Sequence, residues 1–217
     1  ARLNFSHGDF AAHAEVIRRI RTAARATGRR VAIMADLPGP KMRIGKIEPE
    51  PIHLKPGDSF TLTRDDRIGN SQRVSMSFDR LPKVVKRGNR VFLNDGLVQL
   101  IVEEVVDNDV RCKVAVGGAL RSRKGLNLPG INLGISAFTD HDRACLEFAL
   151  KHGVDAVSQS FVENAADVEA VRAAAKRLGK QPVIIAKIER SDALKHFDEI
   201  LKAADGIMVA RGDLGVE

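Results

Sequence analysis

The sequence predicts an α/β fold in which a partial (β/α)₈ TIM barrel is interrupted by an inserted small all-β barrel domain. Alternating strand and helix patterns occupy residues 1–40 and 135–217, whereas residues 41–134 contain short strand patterns separated by turns. The outer blocks hold about five strand patterns, while a closed (β/α)₈ barrel takes eight strands and about 250 residues. The chain is therefore interpreted as a fragment that carries its barrel in two parts.

The first block predicts a strand, a helix and a second strand. Residues 1–8 are typical of a strand end that enters a turn. A helix is expected over residues 9–27, because apolar residues recur at helical spacing and Gly28 is a C-terminal stop signal. The apolar run 31–37 then predicts a strand, with a carboxylate at Asp36 close to its end.

The central block, 41–134, predicts a small antiparallel barrel. Closure is the simplest arrangement for its short strands because it leaves no free edges. The glycine-rich, basic stretch 117–125 matches neither a Walker loop nor a dinucleotide fingerprint, so it is interpreted as a solvated hairpin turn. Strands are expected over residues 59–63, 73–78, 90–94, 98–106 and 109–116.

The third block resumes the alternation of strands and helices. Thr139 followed by Asp142 is a capping-box pattern, Asn164 is a second helix start, and Ser191 is expected to cap a helix that reaches about residue 203. Strands are expected over residues 155–161, 183–189 and 206–211.

Composition favours small anionic partners. The 217 residues are 44% hydrophobic, which is ample for a core, and carry a net charge of +7. The positive charges are scattered and the chain has no Tyr or Trp, which argues against nucleic acid.

Cys112 and Cys145 lack metal or redox spacing and are expected to be reduced. The sequence shows no secretory signal or membrane-length apolar run, so a cytoplasmic location without membrane association is expected.

The strand 183–189 places two opposite charges on one face. Side chains alternate along a strand, so Val183, Ile185, Lys187 and Glu189 project together and the charged pair is expected to end a buried row. The carboxyl ends of parallel strands are where α/β folds place their chemistry. A structural salt bridge is the alternative interpretation of this pair.

Asp213 follows the next predicted strand, so its carboxylate is expected to face the same cleft as Glu189. Two hard oxygen ligands suit Mg²⁺ or Mn²⁺, and no His/Cys cluster has the spacing for zinc. Lys187 would supply the fixed positive charge that a migrating phosphoryl group needs, and Arg2 could add a bidentate phosphate contact. Each residue alone also fits a structural salt bridge; the convergence of four on one rim favours catalysis.

Five segments together resemble pyruvate kinase, and they occur in that family's order along essentially the whole chain. The lysine-glutamate strand and the Arg-Gly-Asp-Leu-Gly loop are highly specific as a pair, and the Asn-Phe-Ser-His-Gly turn adds to them. The segments are residues 2–8, Gly39-Pro40 with Arg43, residues 124–130, residues 186–189 and residues 208–215.

The resemblance implies a catalytic barrel with a mobile β-barrel lid that transfers the phosphoryl group of phosphoenolpyruvate to ADP in glycolysis. It implies a homotetrameric full-length protein, with the rest of the barrel and a regulatory domain outside this chain. By position, Glu189 and Asp213 resemble the divalent-metal ligands, Lys187 the residue that stabilises the transferred group, and Arg2 the phosphate-binding arginine, while the backbone around Gly212 would hold the substrate carboxylate. The positions that resemble nucleotide contacts are Asn4, Ser6, His7, Arg43 and Lys124. Because Lys124 lies in the basic stretch 117–125, the resemblance implies that this stretch binds nucleotide rather than forming a solvated turn alone.

The monovalent-cation region departs from the pattern of many family members. Asn4, Ser6 and Asp36 match the potassium ligands, but Leu37 stands at the threonine position and Lys41 at the position of a nearby glutamate. A lysine ammonium could replace the cation. The resemblance therefore implies a requirement for Mg²⁺ but not for K⁺.

Two other functions remain open at this stage. A Mg²⁺-dependent aldolase on a related barrel could use the same two carboxylates to hold a pyruvate enolate, although the inserted domain and the nucleotide-type residues argue against it. A non-catalytic chain could act as a folding fragment or bind anions through its basic surface. The 217-residue chain by itself is expected to be inactive, because the absent strands leave parallel edges unpaired.

Overall fold

The computed structural model describes residues 1–216, which divide into two units. The first unit comprises Ala1–Pro40 and Ile135–Leu214, and the second comprises Lys41–Gly134 with Gly215 and Val216. None of the described helices combines the length and the apolar character that a membrane crossing requires.

Thirteen strands and seven helices are assigned in the described residues. In chain order they are β1 (Arg2–Asn4), α1 (Phe10–Ala26), β2 (Met34–Leu37), β3 (Ile52–Leu54), β4 (Ser59–Thr63), β5 (Arg73–Ser75), α2 (Leu81–Val84), β6 (Arg90–Leu93), β7 (Val98–Val106), β8 (Asp109–Val116), β9 (Gly118–Leu120), β10 (Leu126–Asn127), α3 (Asp140–Lys151), β11 (Ala156–Gln159), α4 (Ala165–Arg177), β12 (Val183–Ile188), α5 (Ser191–Lys195), α6 (Phe197–Ala203), β13 (Gly206–Val209) and α7 (Arg211–Leu214).

The first unit is an α/β structure built on a parallel sheet. Its five strands lie in the order β1-β2-β11-β12-β13, and every neighbouring pair is parallel. One sheet face packs against the helices, where Ala35, Val157, Ile184 and Ala186 are all fully or almost fully buried. The alternate residues of the same strands face the other way, and that second face carries the polar side chains described below.

The helix starts predicted from capping signals at Thr139 and Asn164 are confirmed, and the helix expected over residues 9–27 is α1. The Asp9 side chain accepts a hydrogen bond from the Ala12 amide at the start of α1, and Thr139 and Asn164 each form a complete capping box, with α3 and α4. These hydrogen bonds satisfy amides that the first helical turn leaves unpaired.

The N3 aspartates of the two capping boxes also bind the polypeptide outside their own helices. The second carboxylate oxygen of Asp142 accepts the Gly39 amide at 2.9 Å, and that of Asp167 accepts the Ala137 amide at 3.1 Å. The Ala137 carbonyl accepts a 2.8 Å hydrogen bond from the buried Gln159 side chain. The segments that precede and follow residues 41–134 are therefore both attached to the helical layer of the first unit.

Three expectations for the last block are wrong. Ser191 does not cap a long helix: it is the first residue of α5, and α6 starts separately at Phe197 because His196 leaves helical geometry. The last strand ends at Val209, so Asp213 lies in a short helical turn. The row ending in Lys187 is not buried throughout, since Val183 is 49% exposed on the sheet face that lacks a helical layer.

The second unit is mainly β-structure. A six-stranded sheet has the order β10-β6-β7-β8-β4-β5, and the expected bounds of β4, β7 and β8 are confirmed. Residues 43–47 form isolated bridges to Gly125, Met76 and Gly69 and so lie between the two edges of this sheet. The description as antiparallel and all-β is too simple, because β4 pairs with β5 in parallel and α2 is helical.

The interpretation of residues 117–125 as a solvated turn is wrong for their first part. Gly118–Leu120 forms β9, which pairs antiparallel with Ile52–Leu54. Gly117 lies so close to this partner that an added Cβ would be 2.3 Å from the Leu54 carbonyl oxygen. The glycine therefore permits close strand packing rather than a loop.

The two thiols are expected to be unreactive in the folded protein. Cys112 and Cys145 are buried, and burial raises the pKa of Cys112 to about 12 and of Cys145 to about 11. Because the thiolate is the reactive species, titration with a disulfide reagent at pH 8 is expected to detect no fast-reacting thiol in native protein and two after denaturation. Rapid native labelling of either residue would contradict this expectation.

Asp142→Ala is expected to destabilise the protein by about 2–4 kcal/mol, because it removes a helix cap and leaves the buried Gly39 amide without an acceptor. Asp140→Ala is the matched control, since Asp140 lies in the same first turn but is exposed. Urea unfolding monitored by circular dichroism measures both changes. Equal destabilisation by the two substitutions would show that the bond to Gly39 contributes nothing.

Candidate active site

A buried lysine occupies the centre of the polar cluster on the open face of the parallel sheet. Lys187 is 7% exposed, and its Nζ lies 2.7 Å from Glu189 Oε1, 2.8 Å from Ser160 Oγ and 3.3 Å from Asp36 Oδ1. An ammonium group has three N–H donors, so each donor has an acceptor within reach. This arrangement holds the Lys187 charge near the carboxyl end of β12.

Asp36 connects the lysine to Arg2 on the other side of the cluster. Arg2 Nε donates to Asp36 Oδ2 at 2.8 Å, and Arg2 Nη2 contacts the same oxygen. Ser158 Oγ donates to Asp36 Oδ1 at 2.7 Å. The sheet register explains this contact, because Asp36 pairs with Ser158 across adjacent strands and both side chains project from the same face.

The Glu189 carboxylate is also held at both oxygens. Its Oε1 faces Lys187, and its Oε2 accepts the Phe161 amide at 2.8 Å. Burial raises the pKa of Glu189, the Lys187 charge and the two hydrogen bonds lower it, and the charge of Asp213 raises it again, with a net upward shift. The charge of Asp213 is the smallest of these influences on the pKa of Glu189.

The four charges of the cluster balance one another. Arg2 and Lys187 are cationic, whereas Asp36 and Glu189 are anionic, and three of the four are almost fully buried. Buried ions of like charge without partners would be strongly unfavourable, so the alternation of signs permits their burial. The structure therefore confirms the charged pair and adds Asp36 to it.

The described residues contain no cluster of the kind that a protein zinc site requires. Among residues 1–216, no group of three or more His, Cys, Asp or Glu side chains is arranged to hold a metal. Zinc sites use three or four such ligands, whereas Mg²⁺ is held by one or two carboxylates together with substrate oxygens and water. Glu189 and Asp213 are the two carboxylates expected for such a smaller oxygen set, and Asp213 is exposed in α7.

The expected nucleotide residues of the first unit lie at the end of β1 and in the turn that follows it. Asn4 Oδ1 accepts the Ser6 amide at 3.0 Å, and the His7 carbonyl contacts His13 Nε2 at 2.9 Å. Asn4 and His7 are exposed. This turn is therefore locally ordered while its side chains remain accessible.

The two expected nucleotide residues of the second unit are brought together there. Arg43 forms an isolated antiparallel bridge with Gly125, and its Nη1 donates to the Arg123 carbonyl at 2.9 Å. The Lys124 carbonyl accepts the Ile44 amide at 3.0 Å. The backbone segments that carry Arg43 and Lys124 are thus neighbours within the second unit.

Of the positions in the monovalent-cation region, Leu37 is kept away from the polar cluster. It is fully buried in the core on the helical face of β2, opposite to Asp36. Lys41 is exposed in the second unit. Gly212, the position expected to bind the substrate carboxylate, is exposed in α7. The structure of the first unit accordingly groups Asp36 with Lys187 but does not add Leu37.

Sequence reasoning missed Ser158, Ser160 and Phe161. The two serines occur two residues apart, on either side of Gln159, and this spacing is the signal for a shared face. Phe161 contributes through its backbone amide, and neither its type nor its spacing identifies that contact.

Asp36→Ala is expected to lower the free energy of unfolding by about 3–5 kcal/mol, because Arg2 and Lys187 would lose their shared buried counter-ion. Glu15→Ala is the control, since Glu15 bridges Arg18 and Arg19 on an exposed helix face and is expected to have no measurable effect. Chemical unfolding of both variants tests the difference. A change in Asp36→Ala no larger than in Glu15→Ala would contradict it.

Comparison with known proteins supports a single family. The family model described as "Pyruvate kinase, barrel domain" matches residues 1–217. Similar proteins include pyruvate kinases from Thermococcus litoralis, 49% identical over 217 residues, Mycobacterium intracellulare, 44% identical over 217 residues, and Thermotoga maritima, 41% identical over 216 residues. Each comparison covers 100% of this chain and 46% of the relative, so the chain spans about half the length of these curated relatives. The chain belongs to the pyruvate kinase family.

Proposed function

We propose that the protein containing this chain is a pyruvate kinase, which transfers the phosphoryl group of phosphoenolpyruvate to ADP and forms pyruvate and ATP. The observation that carries this proposal is the buried Lys187 ammonium, held between Asp36 and Glu189 at the carboxyl end of β12. Phosphoryl transfer depends mainly on positioning and on neutralising oxygen charge, and a fixed, partly desolvated cation suits that task.

Within this proposal the charged residues have separate roles. Lys187 neutralises the phosphoryl group during transfer, and the exposed Arg2 side chain binds the phosphate of the incoming substrate. Glu189 and Asp213 would hold Mg²⁺, which supplies positive charge to substrate oxygens when bound. The backbone at Gly212, which is exposed and has open space beside it, binds the substrate carboxylate.

The second unit is proposed to be the inserted lid domain. Arg43 and Lys124 would contact the nucleotide from that domain, and Asn4, Ser6 and His7 from the barrel. Support comes from the Arg43–Gly125 bridge, which places Arg43 beside the segment that contains Lys124. Closure of a lid would exclude water, which otherwise competes with ADP for the phosphoryl group.

The remaining parts of the proposal concern the whole protein. Its small-molecule partners are phosphoenolpyruvate and ADP or ATP, and it works in the cytoplasm without nucleic acid or membrane partners. A homotetramer is the proposed assembly, on the strength of family membership. The open sheet face, with Val183 half exposed, supports the view that the 217-residue chain alone is inactive.

Lys187→Met in the whole protein is expected to reduce kcat by about 10²–10³-fold, because it removes the cation that stabilises the transferred group. Lys195→Met is the control, since Lys195 is an exposed lysine of the first unit that pairs with Asp192. A coupled assay measures ADP-dependent pyruvate formation with Mg²⁺. Absence of that activity in unsubstituted protein, or aldol cleavage in its place, would contradict the proposed function.

The enzyme is expected to need Mg²⁺ but no K⁺, because the Lys41 ammonium would take the place of the monovalent cation. Activity in tetramethylammonium buffer is therefore expected to change less than about twofold on addition of K⁺. Lys41→Met is expected to lose activity there and to regain part of it with K⁺, while Lys46→Met, which removes an exposed lysine of the same segment, stays unaffected. Strong K⁺ activation of the unsubstituted enzyme would disprove this mechanism.

A further inference from the structure

We propose that the turn formed by Ser160 and Phe161 is a positioning element that orients both Lys187 and Glu189, and that it requires glycine at position 39. The inference rests on the proposed function, because it assigns supporting residues to the same site. The inference goes beyond the proposed function because Ser160 and Phe161 are uncharged and were assigned no role in it. One dipeptide contacts two adjacent functional side chains, each through a different atom.

The two contacts are direct and short. Ser160 Oγ lies 2.8 Å from Lys187 Nζ, and the Phe161 amide donates to Glu189 Oε2 at 2.8 Å. Both residues follow β11, which pairs in parallel with β12. The sheet register therefore brings the turn to the end of the strand that carries Lys187 and leads into Glu189.

The contact made by Ser160 differs in kind from those made by the carboxylates. Asp36 and Glu189 both attract the Lys187 ammonium, which lies at the end of a flexible four-carbon chain. Ser160 offers a neutral acceptor that fixes a third direction without altering the net charge. The hydroxyl thus limits the positions of the ammonium while leaving its charge available to substrate.

Phe161 adopts a backbone conformation that is unusual for its residue type. Its φ is +59°, in the left-handed region that non-glycine residues seldom occupy. Such a conformation persists only where neighbouring structure maintains it. Here the amide of this residue points to the neighbouring strand and binds Glu189, so the strained peptide performs a specific task.

Gly39 packs directly against the turn. A Cβ at position 39 would lie 2.9 Å from Phe161 Cδ2, so that the ring would have to shift, and 3.0 Å from the Ser160 carbonyl oxygen, which would have to give by a few tenths of an ångström. The Gly39 amide is bound to the buried Asp142 carboxylate, which prevents it from moving away easily. An alanine at this position is therefore expected to displace Ser160 and Phe161.

Gly39→Ala in the whole protein tests the support of Glu189. Gly28→Ala is a matched control, because both glycines have φ of +65° but a Cβ at Gly28 would meet no atom within 4 Å. The readout is the dissociation constant for Mn²⁺ alone, measured by electron paramagnetic resonance. Loss of support around a metal ligand typically weakens binding by about 10–100-fold. We expect this loss in Gly39→Ala, and a change below about twofold in Gly28→Ala.

Ser160→Ala tests the support of Lys187. We expect kcat to fall by about 10–100-fold, as for a misplaced catalytic group, while the Mn²⁺ dissociation constant and the KM for ADP change less than about twofold. Ser136→Ala is the control, because the Ser136 hydroxyl accepts a local hydrogen bond from the Phe138 amide, two residues away. Thermal unfolding of all variants identifies any general loss of structure.

The outcomes separate this inference from the proposed function. Mn²⁺ affinity in Gly39→Ala equal to that in Gly28→Ala, or a kcat of Ser160→Ala equal to that of Ser136→Ala, overturns the positioning role even in an active pyruvate kinase. An absence of pyruvate formation combined with selective loss of Mn²⁺ binding in Gly39→Ala supports the role of the turn and rejects the reaction. Failure of unsubstituted protein to bind Mn²⁺ overturns the part of the inference that concerns Glu189.

Discussion

The ammonium of Lys187 is the constraint on which the rest of the site depends. A lysine buried in a sheet must have its charge balanced, and Asp36 and Glu189 provide that balance from two different positions in the parallel sheet. Asp36 is in turn bound by Arg2 and Ser158, so one desolvated charge determines the residue types at several strand ends. The polar residues of the open face are therefore gathered at the carboxyl ends of the strands, whereas Val183, at the start of β12, is apolar.

This arrangement is a compromise between stability and chemistry. A buried ion pair seldom stabilises a protein more than apolar packing of the same volume would, so the cluster is poorly explained as a device for folding alone. Under the proposed function the cluster holds its charges in fixed directions, so that a phosphate-bearing substrate would exchange contacts with groups that are already in place. The net upward shift in the pKa of Glu189, caused first by burial, is the electrostatic cost of that orientation.

The parts of this structure that the sequence could predict are those governed by local interactions. The helix start at Asn164 depends on hydrogen bonds within four residues, and the shared face of Lys187 and Glu189 follows from strand alternation. Pairing of Gly118–Leu120 with a distant strand has no local signal, because a glycine permits close packing as readily as a turn. The role of Phe161 was equally hidden, since it depends on a backbone angle and an amide rather than on a side chain.

The aspartates in the capping boxes of α3 and α4 have a meaning for the evolution of the chain. Asp142 binds the Gly39 amide and Asp167 binds the Ala137 amide. The chain is therefore held by helices of the first unit both where it leaves that unit and where it returns to it. The residues between those points need not supply this fastening. Their length and sequence can therefore drift, or be exchanged for another module, without loosening the sheet that carries the chemistry. A domain whose own helices hold the chain on both sides of an insertion point is well suited to accept insertions.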